Sequence, residues 1–281
     1  MSVASHTKNN LQSDQPINYS TTQLLNYTTH LADNTLILAQ RSSAWCGHGP
    51  ILEQDIAITN ISLDILGQAR NFYQYAAQLI NQSTNQPINC STIQPATEDA
   101  LAYHRDSREF KNCLLVEQEN GDWGKTILRL FLFSSYQYLL YEKLQHSNDG
   151  QLAAIAAKAL KEVAYHVRWS SEWVIRLGDG TGESHQRMVN AIDELWPYID
   201  ELFINAGYEE ALLEDNIAVD VSALKEKWFE KILPVFNEAT LQAPQNMFAK
   251  TGGKQGIHSE QLGYILAEMQ FMQRAYPNST W

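Results

Sequence analysis

The chain has 281 residues, 44% of them hydrophobic, and carries a formal net charge of −12 with a pI near 5.1. That content is ample for a large buried core, while the acidic balance argues against a broad nucleic-acid or anionic-membrane surface and leaves room only for a local basic site. Three scattered cysteines (Cys46, Cys90, Cys113) without a C-x-x-C pair point to a reducing cytoplasm, and no apolar run has the length of a membrane span.

In chain order, residues 1–20 are polar, lack the apolar core of a signal peptide and read as a disordered leader. A first helix is expected after Ser20-Thr21-Thr22, whose hydroxyls can cap it, running to about Trp45 and placing Asn26, His30 and Asp33 on one face. CGHGP (46–50) is a tight break. A second long helix, 51–80, sets Asn60, Asp64 and Gln68 in a polar row, and 81–95 is a polar loop. TEDALAYHRDSREFKNCLLVEQ (97–118) reads as a shorter helix carrying the densest positive charge of the chain, Arg105, Arg108 and Lys111, each three residues apart. A third long helix occupies roughly 125–145.

The fourth helix, Gln151 to Leu177, has no Gly or Pro and can reach about 40 Å. Its apolar positions Ile155, Ala159, Val163, Val167 and Val174 form a buried stripe, with Glu162 and His166 one turn apart inside it. GDGTGE stops it. A fifth helix is broken at Pro197, another covers 225–239, and a Gly-rich loop leads into a last amphipathic helix. Four long helices with further helices outside them predict an all-α four-helix bundle: core about 21–178, additional C-terminal helices about 184–281.

Carboxylates and imidazoles inside a bundle invite a metal reading. A di-iron carboxylate bundle takes one carboxylate from each of two helices and a Glu-x-x-His pair from each of the other two. None of the eight histidines here has Asp or Glu three residues before it. Asp64 is followed by Gly67, Glu162 by Tyr165 with His166 one residue late, and the third helix offers Ser134, Gln137 and Tyr138. The competing reading is an internal polar network in which Glu162–His166, His30–Asp33 and Lys158–Glu162 satisfy one another or bond across the bundle. The basic cluster likewise admits two readings, a phosphate-binding face or a helix surface neutralised by Asp106 and Glu109.

Four stretches then carry a resemblance: LADNTLILAQRSSAWCGHGPILEQDIAITNISLDILGQARNF, RDSREFKNCLLVEQENGDW, AAIAAKALKEVAYHVRWSSEWVIRLGDGT and TGGKQGIHSEQLGYILAEMQFMQR. From about residue 20 onward the chain resembles the C subunits of bacterial phenylacetyl-CoA epoxidases, multicomponent monooxygenases of aerobic phenylacetate degradation. The leader has no counterpart expected in that family. The resemblance implies a ferritin-like fold and a structural, non-catalytic subunit that holds no cofactor itself. Its expected partner is a catalytic A subunit that carries the di-iron centre. The assembly also includes a B subunit and a reductase subunit, and nucleic acid and membrane are not expected partners. The resemblance further implies that Arg108, Glu109, Phe110, Lys111 and Asn112 contribute to binding phenylacetyl-CoA, and that Asp33, Asp64, Glu162 and His166 are the remains of a lost ligand set. The alternatives are a free-standing di-iron oxygenase using those same four residues, and a ferritin-like scaffold without a ligand.

Overall fold

A computed structural model describes residues 19–83, 96–245, 247–277 and 279. The expected leader and most of the expected 81–95 loop lie outside the described residues, as does Cys90. Among the described residues the chain is helical and has no strand. The bundle consists of α1 (Tyr19–Ser43), α2 (Leu52–Ser83), α5 (Trp123–Leu144) and α6 (Gly150–Gly178). α1 packs along α2, α5 along α6, and α2 touches α6 across the middle. α7 (Gly182–Leu195) and α9 (Lys225–Glu238) cover the outer side of α5 and α6. The ferritin-like bundle and its additional C-terminal helices follow the expected architecture.

Local chemistry sets the boundaries. The carboxylates of Asp122 and Asp149 accept hydrogen bonds from the first free amides of α5 and α6, and the Thr181 hydroxyl does so for α7. The CGHGP turn is held by Asp55, whose carboxylate accepts from the amides of Gly47 (3.1 Å) and Gly49 (3.0 Å). Pro197 ends α7 in a short 3-10 turn, Trp196–Tyr198, as expected. α1 is described from Tyr19, so Thr21 and Thr22 already lie within the helix. α5 is apolar nearly all round, and most of its residues are buried. At one end of the bundle Trp123 meets Trp45, Trp169 and Trp173 edge-on, with ring centroids 5.1–6.1 Å apart.

The expected single helix over 97–118 does not form. This stretch divides into α3 (Glu98–Tyr103), a 3-10 turn (Ser107–Glu109), an extended strap through Phe110 and Cys113, and the single turn α4 (Leu114–Glu117). Asp106 starts the break, because its amide donates to the Glu109 carboxylate (2.7 Å) and a local turn competes with the helix. Arg105, Arg108 and Lys111 are therefore not on one helical side. The chain continues through α8 (Gly207–Glu210) to α10 (Glu260–Met269), which closes over α1 and α4, and to α11 (Phe271–Ala275), which packs on α10.

Candidate functional site

In the middle of the bundle a chain of amides crosses between helices. Gln137 on α5 donates to Gln68 on α2 (3.1 Å) and to the Tyr141 hydroxyl (2.9 Å), while Gln68 donates to the Glu162 carboxylate on α6 (2.9 Å). Beside it His166 Nε2 faces Asp64 across the α2–α6 contact at 3.2 Å. Glu162 and His166 thus each bond to α2 instead of to each other. The set is only partly interior: His166 is buried, but the Asp64 side chain is 41% exposed. Asn60 faces solvent.

Asp33 does not join this group. It is fully buried in a second cluster, where its carboxylate accepts from the Tyr73 hydroxyl (2.5 Å), from both terminal nitrogens of Arg105 and from the Lys111 amide (2.7 Å). Asp33, Asp64, Glu162 and His166, expected as the remains of one ligand set, therefore stand in two separate clusters, divided by their partners. Among the described residues no group of three or more His, Cys, Asp or Glu is arranged to hold a metal. Four residues distributed in this way do not fit a di-iron centre.

The second cluster has a clear structural task. A buried extended strap cannot bond to itself, so its polar backbone groups need side-chain partners. Asp33 accepts from the Lys111 amide, His30 Nδ1 meets the Lys111 carbonyl (2.7 Å) and Asn34 accepts from the Cys113 amide (2.8 Å). From the other side, Glu201 accepts from the amides of Leu114, Gly252 and Gly253 at 2.6–2.8 Å. His30 and Asp33, expected to satisfy each other, instead join Asn34 in a backbone clamp. His30 Nδ1 donates to a carbonyl and Nε2 faces the Asn34 amide (3.2 Å), so the ring sits as the neutral tautomer. Burial agrees, pulling its pKa down to about 4 against the opposing charge of Glu209.

The TGGKQG segment packs directly against the strap. A Cβ at Gly253 would come within 2.2 Å of the Asn112 carbonyl oxygen, and one at Gly256 within 2.3 Å of the Arg108 carbonyl oxygen. Gly256 also has φ +81°, a conformation glycine adopts without strain. Lys254 is buried and donates to Glu209 (2.9 Å) and the Ile204 carbonyl (2.8 Å). His258 presents both ring nitrogens to acceptors, Nδ1 to Glu117 (2.8 Å) and Nε2 to the Phe110 carbonyl (2.9 Å). Only the doubly protonated imidazolium can donate twice. Burial opposes that charge, but the hydrogen bond and charge of Glu117 outweigh it and raise the His258 pKa. Sequence reasoning passed over Glu117, Glu201, Lys254 and His258. The crowded glycines of TGGKQG were the one local sign of close backbone approach.

The five residues that the resemblance ties to acyl-CoA divide by exposure. Phe110 and Asn112 are fully buried, Lys111 is half-buried with its ammonium 5.6 Å from the Tyr208 ring, and Arg108 and Glu109 face solvent. Phe110 stacks under the Arg105 guanidinium at 4.1 Å, and Asn112 donates to Glu117 (2.8 Å). Arg105 is engaged with Asp33, whereas Arg108 has no ion-pair partner among the described residues. Arg108 lines an open groove of about 540 Å³ together with Ser107, Gly256, His258, Ser259 and Glu260. Burial pushes the nearby Cys113 thiol well above its ordinary pKa, which makes it a poor nucleophile.

A helical bundle bridged at its centre by amides, with a clamped strap on one side, is a ferritin-like scaffold. The model of the phenylacetic acid catabolic protein family matches residues 8–281, and the chain belongs to that family. It is 47% identical over 259 residues to the C subunit of the 1,2-phenylacetyl-CoA epoxidase of Escherichia coli strain K12, an alignment covering 92% of this chain and 99% of that protein. No helix among the described residues is long and apolar enough to cross a membrane.

Proposed function

We propose that the chain is the non-catalytic member of a multicomponent phenylacetyl-CoA 1,2-epoxidase, working in the cytoplasm. It pairs with a catalytic subunit that carries the di-iron centre, and a B subunit and a reductase complete the assembly. The observation that carries this reading is the near full-length identity to the C subunit of an epoxidase. It is supported by the bundle centre, where Gln68, Gln137 and Tyr141 stand in a hydrogen-bonded chain and Asp33 is held elsewhere by Arg105. In this reading the chain helps bind the acyl-CoA through the strap. Arg108 and Lys111 offer positive charge to its phosphates, while Phe110 and Asn112 hold the backbone that presents them.

Co-expression with the catalytic subunit tests the assembly directly. The expected result is a stable complex whose iron, measured by elemental analysis, resides in the partner, with well under one equivalent in the isolated chain. Two irons per isolated chain, lost on Glu162→Ala, would overturn the reading in favour of a free-standing oxygenase.

A further inference from the structure

We infer that one outer face of α2 is the docking seam for a single long helix of the catalytic subunit, an inference that rests on the function proposed above. The aliphatic residues Leu52, Ile56, Leu63 and Leu66, with the half-buried Thr59 between them and Arg70 at the end, follow one another at spacings of four, three, four, three and four, the repeat of a helix–helix seam. They form one stripe about 27 Å long. An interior helix turns such a stripe inward, but here it is open. Leu52 is 72% exposed, Ile56 52%, Leu63 60% and Leu66 45%. α2 also carries a separate buried stripe of Ile58, Ile61, Ile65, Phe72 and Tyr73 that packs against its own bundle. The outer stripe is thus a second apolar face with no partner among the described residues.

Its form and size fit a macromolecular contact. The four aliphatic side chains expose roughly 400 Å², the size of a functional patch on a monomer and about half of what one partner buries in a standard interface. Beside the stripe two hollows open, one of about 280 Å³ lined by Leu36, Cys46, Leu63, Leu66 and Met269, the other of about 350 Å³ lined by Leu36, Leu66, Tyr73 and Tyr103. Side chains from a docked helix can enter both. Gly67, next to the stripe, has open space around it, so a partner backbone can approach closely.

Charge selects the occupant. The flanks on α2 and α3 carry Glu53, Asp64, Glu98 and Asp99, and the one base on these two helices, Arg70, ends the stripe itself, 3.6 Å from Glu98. A second copy of this chain, itself at −12, would set acidic flanks against acidic flanks. The complementary surface is an amphipathic helix with an aliphatic four–three seam and basic flanks, crossing α2 at about 20°.

The test titrates the purified full-length chain with the catalytic subunit and measures Kd and melting temperature for wild type, Ile56→Glu, Leu63→Glu and Tyr264→Glu. The last alters an equally exposed residue on α10 as a control. The seam variants should weaken the complex about 100-fold while melting like wild type, because they change only exposed side chains, and Tyr264→Glu should bind normally. Glu53→Lys should slow association several-fold at low salt and much less at high salt. A complex that tolerates both seam variants would overturn the seam and leave the functional reading standing. Failure of the wild-type chain to bind the catalytic subunit at all would overturn both. Self-association abolished by Leu63→Glu, with the complex unaffected, would assign the face to a second copy and overturn the inference as stated.

Discussion

Replacing Asp33 by Asn tests whether the buried clamp holds the strap. In the wild-type chain the two carboxylate oxygens receive four donors: the Tyr73 hydroxyl, two Arg105 nitrogens and the Lys111 amide. Asparagine keeps the shape but offers one acceptor oxygen, and its NH2 group would point at a donor. Arg105, only 11% exposed, would lose its counter-charge while still stacked on Phe110. Breaking one side of a buried pair costs about 3–5 kcal/mol, and residual solvent access to Arg105 favours the lower end. For a chain of this size the melting temperature should fall by roughly 6–20 °C. Differential scanning calorimetry measures the fall, and hydrogen exchange should show faster exchange at the Lys111 amide. A second variant, Asp33→Asn with Arg105→Met, removes both charges and should recover part of the loss, because the stranded guanidinium dominates the single-variant cost. A shift under 2 °C for Asp33→Asn, or a double variant as unstable as the sum of the singles, would refute the clamp.

Four further outcomes follow from the same geometry. Glu162→Ala strands the Gln68 amide at a partly exposed site, so it should cost about 1 kcal/mol and lower the melting temperature by a few degrees; an unchanged melting curve would remove the amide chain as a stabilising element. The His258 pKa lies above its ordinary 6.5, so the stability it contributes is fully present below about pH 6.5 and is lost as pH rises through the folded value. His258→Gln should flatten the pH dependence of protease resistance in residues 251–275 as pH rises above 6.5, and an unaltered profile would show the imidazolium is not the cause. His30 works in the opposite direction: its stabilisation is present above 6.5 and is lost as pH falls toward about 4. In the reconstituted epoxidase, Arg108→Ala should raise KM for the acyl-CoA with little change in kcat, Lys111→Ala less so because its ammonium already rests on Tyr208. Steady-state kinetics at two salt concentrations checks this, and wild-type KM at low salt would exclude Arg108 from the contact.

The four long helices were legible in the sequence because their cause is local. Apolar residues at three- and four-residue spacing, caps such as Asp122 and Asp149, and breaks at CGHGP, GDGTGE and Pro197 act over a few positions. The family was legible too, through long stretches of residue order. What the sequence could not decide was which polar residues meet. His30, Asp33 and Asn34 share a helical face, yet their partners are the backbone of 111–113, about 80 positions away. The 97–118 stretch has helical spacing, but its centre, 110–113, is extended, because buried acceptors and donors from α1, Glu201 and His258 satisfy its backbone better than its own i, i+4 bonds would. Likewise, Arg105 and Arg108 have the same chemistry three residues apart, and only tertiary packing turns one into a buried counter-ion for Asp33 and leaves the other in an open groove. Periodicity is a property of neighbours along the chain, whereas burial and ion pairing depend on neighbours in space.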